Sequence, residues 1–179
     1  MNRRGFSLKP FPSAGLLPGL DITGNIVRRS DALTIRYVLL GPLAKLVIPS
    51  SADLPARKNL LWEETCFEFF LALRNHDRYW EFNVSLAGHW NVYSFKSYRH
   101  GMQEEPAFTS LPISVRRGQD VLQLCVRLDL AGIVPPSQTL KAAVSAVIKP
   151  KNGEISYWAL THPAPEADFH LRDGFTLEL

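Results

Sequence analysis

The stretch "LWEETCFEFFLALR" (61–74) decides how this chain folds. Side chains on a β-strand alternate between two faces. Trp62, Glu64, Cys66, Glu68 and Phe70 therefore share one face, and Glu63, Thr65, Phe67, Phe69 and Leu71 the other. From Phe67 onward the second set is apolar, which predicts a core-facing side. The first set places an indole beside carboxylates, a mixture that suits neither a plain core nor a plain solvated surface.

Working outward, the same two-residue period recurs. "ALTIRYVLLG" (32–41) puts Leu33, Ile35, Tyr37 and Leu39 on one face. "VLQLCVRLDL" (121–130) sends Leu122, Leu124, Val126, Leu128 and Leu130 inward and Gln123, Arg127 and Asp129 outward. "LKAAVSAVIK" (140–149) alternates as well, and the turn "PKNG" (150–153) leads into "EISYWAL" (154–160) as its hairpin partner. "GFTLEL" (174–179) closes the chain as a further strand. Turn residues punctuate the sequence at short intervals, and no amphipathic helix pattern separates the strands. Short strands so spaced predict an all-β fold, an antiparallel β-sandwich, formed as one domain over residues 1–179. "GMQEEPAFTS" (101–110) reads as the main interior loop, placed to hang over a sandwich face.

Composition narrows the functional classes. At 46% hydrophobic and 21% charged, the 179 residues are those of an ordinary globular protein. The positive excess lies in the first third, with 9 Lys+Arg against 3 Asp+Glu in residues 1–60. There it is scattered over Arg3, Arg4, Arg28, Arg29, Arg36 and Arg57 rather than gathered in a stripe, so no nucleic-acid partner is expected. The opening "MNRRGFSLKPFPSAGLLPGL" is basic, but Lys9, Pro10, Pro12 and Ser13 interrupt the apolar run of a secretory leader. No stretch reaches membrane-spanning length, so no membrane partner is expected and a cytoplasmic location is. Cys66 and Cys125 are then expected as free thiols.

Three segments point to a ligand site. In "YWEFNVS" (79–85) Trp80, Phe82 and Val84 form an apolar side, and Tyr79, Glu81, Asn83 and Ser85 a polar one. In "EISYWAL" the polar side carries Glu154, Ser156 and Trp158. Trp62 and Trp158 thus stand in register with carboxylates and hydroxyls. A sugar suits such a face, since its flat C–H patches lie on an aromatic ring while its hydroxyls need fixed donors and acceptors. Trp62 and Trp158 are expected as stacking plates, Glu68 as an acceptor, and Glu81 and Asn83 as groups that orient hydroxyls if their strand adjoins the first. Glu64, at a strand end, is the outermost member.

The blocks "LWEETCFEFFLALR", "YWEFNVSLAGHWNVYSFKSYRHGM" and "YWALTHPAPEADFHLRDGFTLEL" resemble the bacterial DOMON-like family, related to the family 9 carbohydrate-binding modules. The resemblance runs from about Phe6 to Leu179. It implies an immunoglobulin-like or jelly-roll-like sandwich and non-catalytic binding of a small ligand, a sugar first of all. In the related modules a sugar is held between two tryptophans, with a glutamate six residues after the first. Trp62 and Glu68 have that spacing, and Trp158 matches the second tryptophan.

Other chemistries remain open on the same residues. Some DOMON relatives bind haem through Met and His, which would recruit Met102 with His162 or His170; otherwise no cofactor is expected. "THPAPEADFH" (161–170) offers His162, Asp168 and His170 as weak metal-ligand candidates without a known zinc spacing. An enzyme would need a carboxylate pair from Glu64, Glu68 and Glu81 set across a scissile bond. A protein partner could use the Trp62–Trp158 face as an interface.

Overall fold

The computed structural model describes residues 2–12 and 16–179. Among these residues there are thirteen strands: β1 (Asn2–Ser7), β2 (Lys9–Pro10), β3 (Asp21–Arg29), β4 (Ala32–Leu40), β5 (Cys66–Leu73), β6 (Tyr79–Ser85), β7 (Trp90–Phe95), β8 (Gln103–Glu104), β9 (Ile113–Arg117), β10 (Val121–Asp129), β11 (Leu140–Ile148), β12 (Ser156–Ala159) and β13 (Leu177–Glu178). They form two sheets, ordered β1-β3-β4-β10-β9 and β2-β12-β11-β5-β6-β7-β8, with β13 pairing β11 beside β12. Every strand pairing is antiparallel. The all-β sandwich predicted by the period-two pattern is the fold observed.

The alternation read from the sequence sets the layers. Leu33, Ile35, Tyr37 and Leu39 of β4 and Leu122, Leu124 and Val126 of β10 meet Phe67, Phe69 and Leu71 of β5 and Trp80, Phe82 and Val84 of β6 in one core. Phe69 and Phe82 stack with centroids 4.5 Å apart. A polar contact crosses this core: the Tyr37 hydroxyl donates to the backbone carbonyl of Glu68 at 2.7 Å. Satisfying that hydroxyl inside the sandwich also holds the middle of β5 in place.

Two expectations need correction. Residues 61–65 are not strand: Leu61–Glu63 form a 3-10 turn, and β5 begins at Cys66. The turn follows Leu60, which has φ 60, and the preceding Asn59 is anchored by Asn91 Nδ2 at 2.8 Å and the Tyr93 hydroxyl at 2.7 Å. Segment 101–110 is only partly loop, since it carries β8 and buries Phe108 in the core and Glu105 against the Trp80 indole N–H at 3.0 Å. Arg36 faces Cys125 across β4 and β10, with Arg127 and Arg116 one alternation away on either side, so the outer face of the five-stranded sheet is cationic. Cys66 and Cys125 are free and lie on the outer faces of opposite sheets, so the sandwich thickness separates them. Among the described residues no helix is long and apolar enough to cross a membrane.

Candidate functional site

On the outer side of the larger sheet, antiparallel register builds two rows of side chains. One runs Ser145, Glu68, Asn83, Asn91 across β11, β5, β6 and β7, and the next runs Ala143, Phe70, Glu81, Tyr93. β6 does adjoin β5, the condition for Glu81 and Asn83 to join Glu68. An outer sheet face normally meets water, yet Glu68 is 3% exposed, Glu81 5% and Asn83 0%. The covering comes from the turn bearing Trp62, the β7–β8 hairpin and a strap over residues 161–176.

Tyr79, Phe95, Phe70 and Phe175 form a second apolar cluster under this cover, with Trp62 and Phe169 packed against it. The strap is pinned to the hairpin by Asp168. Its Oδ1 accepts from Arg99 Nη2 and from the His170 N–H, both at 2.9 Å, and its Oδ2 accepts from the Tyr98 hydroxyl. Gly101, at φ +68, turns the hairpin; a Cβ there would stand 2.9 Å from the Lys96 side chain.

Between floor and cover lies a cavity of about 370 Å³. Its floor carries Glu68, Glu81 and Val147; its walls carry Trp62, Tyr157, Phe95, Phe169, Arg99 and His170, with Met102 at the rim. Trp62 meets Tyr93 edge-on at 6.0 Å, and Tyr157 meets Phe169 in the same way at 6.1 Å. Aromatic walls with a few convergent polar groups are the usual make-up of a small-ligand pocket.

Burial dominates the electrostatics. Loss of water pushes the Glu68 carboxyl well above its ordinary range, the neighbouring Glu81 adds to the rise, and a hydrogen bond with the Cys66 thiol opposes it. Glu81 is raised to about 7 by burial, against the opposing pull of an Asn83 amide hydrogen bond at 2.8 Å and of Arg99. His170 is lowered to about 4 by burial and the nearby Arg99, so it is neutral at pH 7. Asn83 Oδ1 and Ser145 Oγ, the two register neighbours of Glu68, are buried without a hydrogen-bond partner among the described residues.

The residues singled out in the sequence divide clearly. Trp62, Glu68 and Glu81 line the cavity, and Asn83 orients Glu81 from beside it. Glu64 is exposed and pairs with Lys149 Nζ at 2.6 Å, away from the cavity. Trp158 is not a plate. It is 4% exposed, belongs to the core between the sheets, and donates its indole N–H to Ser156 Oγ at 3.0 Å. The outward aromatic on β12 is Tyr157, 38% exposed. Ser156 misleads the alternation, because a hydroxyl that reads as solvent-facing is buried as the indole's internal acceptor.

His162, Asp168 and His170 do not converge. His162 Nε2 meets the Lys9 carbonyl at 2.9 Å, His170 Nδ1 meets the Tyr79 hydroxyl at 2.8 Å, and Asp168 is taken by Arg99 and Tyr98. Among the described residues no group of three His, Cys, Asp or Glu is placed to hold a metal ion. Met102 and His170 share the cavity, but Met102 is 48% exposed and the floor carries two carboxyls. That donor set does not fit haem, which needs its axial pair across a deep apolar pocket. Sequence reading missed Tyr157, Arg99, Phe95 and Phe169.

Comparisons with known proteins agree on architecture. No family model matches the chain, and no curated protein matches it. Among solved structures, a protein of Bacteroides uniformis classed as carbohydrate-binding superposes with TM-score 0.65 at 13% identity, covering 94% of this chain and 84% of that one. A family 9 carbohydrate-binding module from Caldicellulosiruptor kristjanssonii in complex with glucose gives TM-score 0.52 at 10% identity, over 85% and 72% of the two chains. The same organism's module in complex with cellotriose gives 0.50 at 9% identity, over 85% and 70%. At these identities the likeness is one of fold: this chain is a β-sandwich of the kind seen in family 9 carbohydrate-binding modules.

Proposed function

We propose that this chain is one DOMON-like domain that binds a small carbohydrate, without turning it over, in the cavity walled by Trp62 and Tyr157. The observation that carries the reading is the placement of Trp62 and Glu68, six residues apart, on one cavity whose floor bears the buried carboxyls of Glu68 and Glu81. The indole offers a plate for sugar C–H groups, and Tyr157, not Trp158, offers a second aromatic surface. The Glu68 and Glu81 carboxyls accept hydrogen bonds from sugar hydroxyls; Arg99 and His170 Nε2 supply donors. The structures sharing this sandwich include modules in complex with glucose and with cellotriose, which supports a sugar as ligand class.

A binding role fits the carboxyl arrangement better than hydrolysis does. Glycoside cleavage needs carboxyl groups flanking the scissile bond. Glu68 and Glu81 rise from adjacent strands of one floor, so both approach a ligand from the same side. Calorimetric titration with glucose and short glucosides tests the proposal in wild type and Trp62→Ala. Saturable binding that the folded variant loses is expected; equal binding by both would remove the cavity from the account.

A further inference from the structure

The cavity has an acceptor-rich floor and little cation to balance it. Glu68 and Glu81 are both more than nine-tenths buried and both line it. No Lys, Arg or His stands in an ion pair with Glu68 among the described residues. Arg99 is the one guanidinium on the lining, and Asp168 already engages it at 2.9 Å. His170 stands 3.8 Å from Glu81 and adds no charge when neutral. Beside Glu68 in register, Asn83 Oδ1 is a further acceptor, fully buried and unpartnered.

Burying carboxylates without a counter-charge is costly, and with none in contact with Glu68 the burial pushes both carboxyls towards their neutral acids. A neutral sugar leaves that deficit, since its hydroxyls donate but carry no charge. An ammonium group removes it, offering three donors and one positive charge to a floor of acceptors. The walls suit it as well, because Trp62, Tyr157, Phe95 and Phe169 provide aromatic surfaces that attract a cation.

We propose that the preferred ligand of this cavity is an amino sugar with a free ammonium group, held by Glu68 and Glu81. The inference rests on the sugar-binding reading and sharpens it to a charge class. One ammonium balances one carboxylate, so binding draws one of the two carboxyls into its ionised form while its neighbour stays protonated, and about one proton leaves the protein as the ligand enters.

The test is calorimetry at about pH 6.5, below the usual range of such an amine, with glucose, glucosamine, N-acetylglucosamine and methylamine as ligands. Glucosamine is expected to bind about tenfold or more tighter than glucose and N-acetylglucosamine. Its heat should vary with buffer ionisation enthalpy in the sense of proton release. Glu68→Gln and Glu81→Gln should each bring the glucosamine-to-glucose ratio towards one. Glucose binding as tightly as glucosamine would overturn the ammonium inference and leave the sugar reading standing. Methylamine matching glucosamine would do the reverse. No binding by any of the four would overturn both.

Discussion

The hydroxyl of Tyr79 stands 2.8 Å from Nδ1 of His170 and also accepts the backbone N–H of Arg99 at 3.1 Å. Because it accepts from Arg99, its own proton is free for Nδ1, and a neutral imidazole then carries its hydrogen on Nε2, towards Glu81. One buried hydroxyl on β6 thus orients two cavity residues that come from separate cover segments.

Removing that hydroxyl should be felt in binding more than in folding. Tyr79→Phe keeps the ring stacked on Phe95, 4.7 Å away, and should cost about 1 kcal/mol of stability. Loss of order at His170 and Arg99 should weaken ligand binding roughly fivefold to tenfold, at about 1.4 kcal/mol per decade. Denaturant melts alongside calorimetry separate the two effects; unchanged affinity would mean that the cover needs no such anchor.

The two neighbouring aromatics of β12, Trp158 and Tyr157, should behave oppositely. Trp158→Ala empties a core position and should destabilise the fold by roughly 3–5 kcal/mol. Tyr157→Ala, one residue earlier on the outer face, should cost less than about 1 kcal/mol and lower ligand affinity. Equal stability losses in thermal melts would contradict the parity assigned to β12.

Glu81 and His170 should pull stability in opposite directions with pH. Glu81 titrates at about 7 in the fold against an ordinary 4.5. Between those values the folded protein holds the extra proton, so Glu81's contribution is greatest below pH 4.5 and falls as pH rises to 7. His170 titrates at about 4 against an ordinary 6.5, so the unfolded chain holds the extra proton there and stability falls as pH drops through that window. Glu81→Gln should therefore gain on wild type as pH rises from 4.5 to 7. His170→Gln should gain on wild type as pH falls from 6.5 to 4. Each gain is at most roughly 3 kcal/mol, at about 1.4 kcal/mol per pH unit. Melting temperatures measured across this range check both; parallel profiles for variant and wild type would refute the assignment.

Most of the sandwich was legible because its strands keep strict alternation. Phe67, Phe69 and Leu71, or Leu122, Leu124 and Val126, can face only one way in a strand with a two-residue period. The site was legible where it shares those strands, at Glu68, Glu81 and Asn83. It failed at Trp158, where a buried serine imitates a polar face. The boundary at residue 61 failed because the anchoring of Asn59 by Asn91 and Tyr93 is a tertiary contact. Arg99, Phe169 and the role of His170 depend on the path of a hairpin and a strap that no periodicity records. Their cue was chemical: Asp168 two residues before His170, with its side chain capping that residue's N–H.

Four tryptophans make the central claim directly observable. Trp62 is the one on the cavity wall, whereas Trp80, Trp90 and Trp158 belong to the core between the sheets. The indole N–H resonances of ¹⁵N-labelled protein, assigned through single Trp→Phe variants, should be followed during titration with glucosamine and glucose. The account predicts a saturable shift of the Trp62 resonance, with the Trp158 resonance fixed. A Trp158 resonance that moves while Trp62 stays still would contradict the site described here.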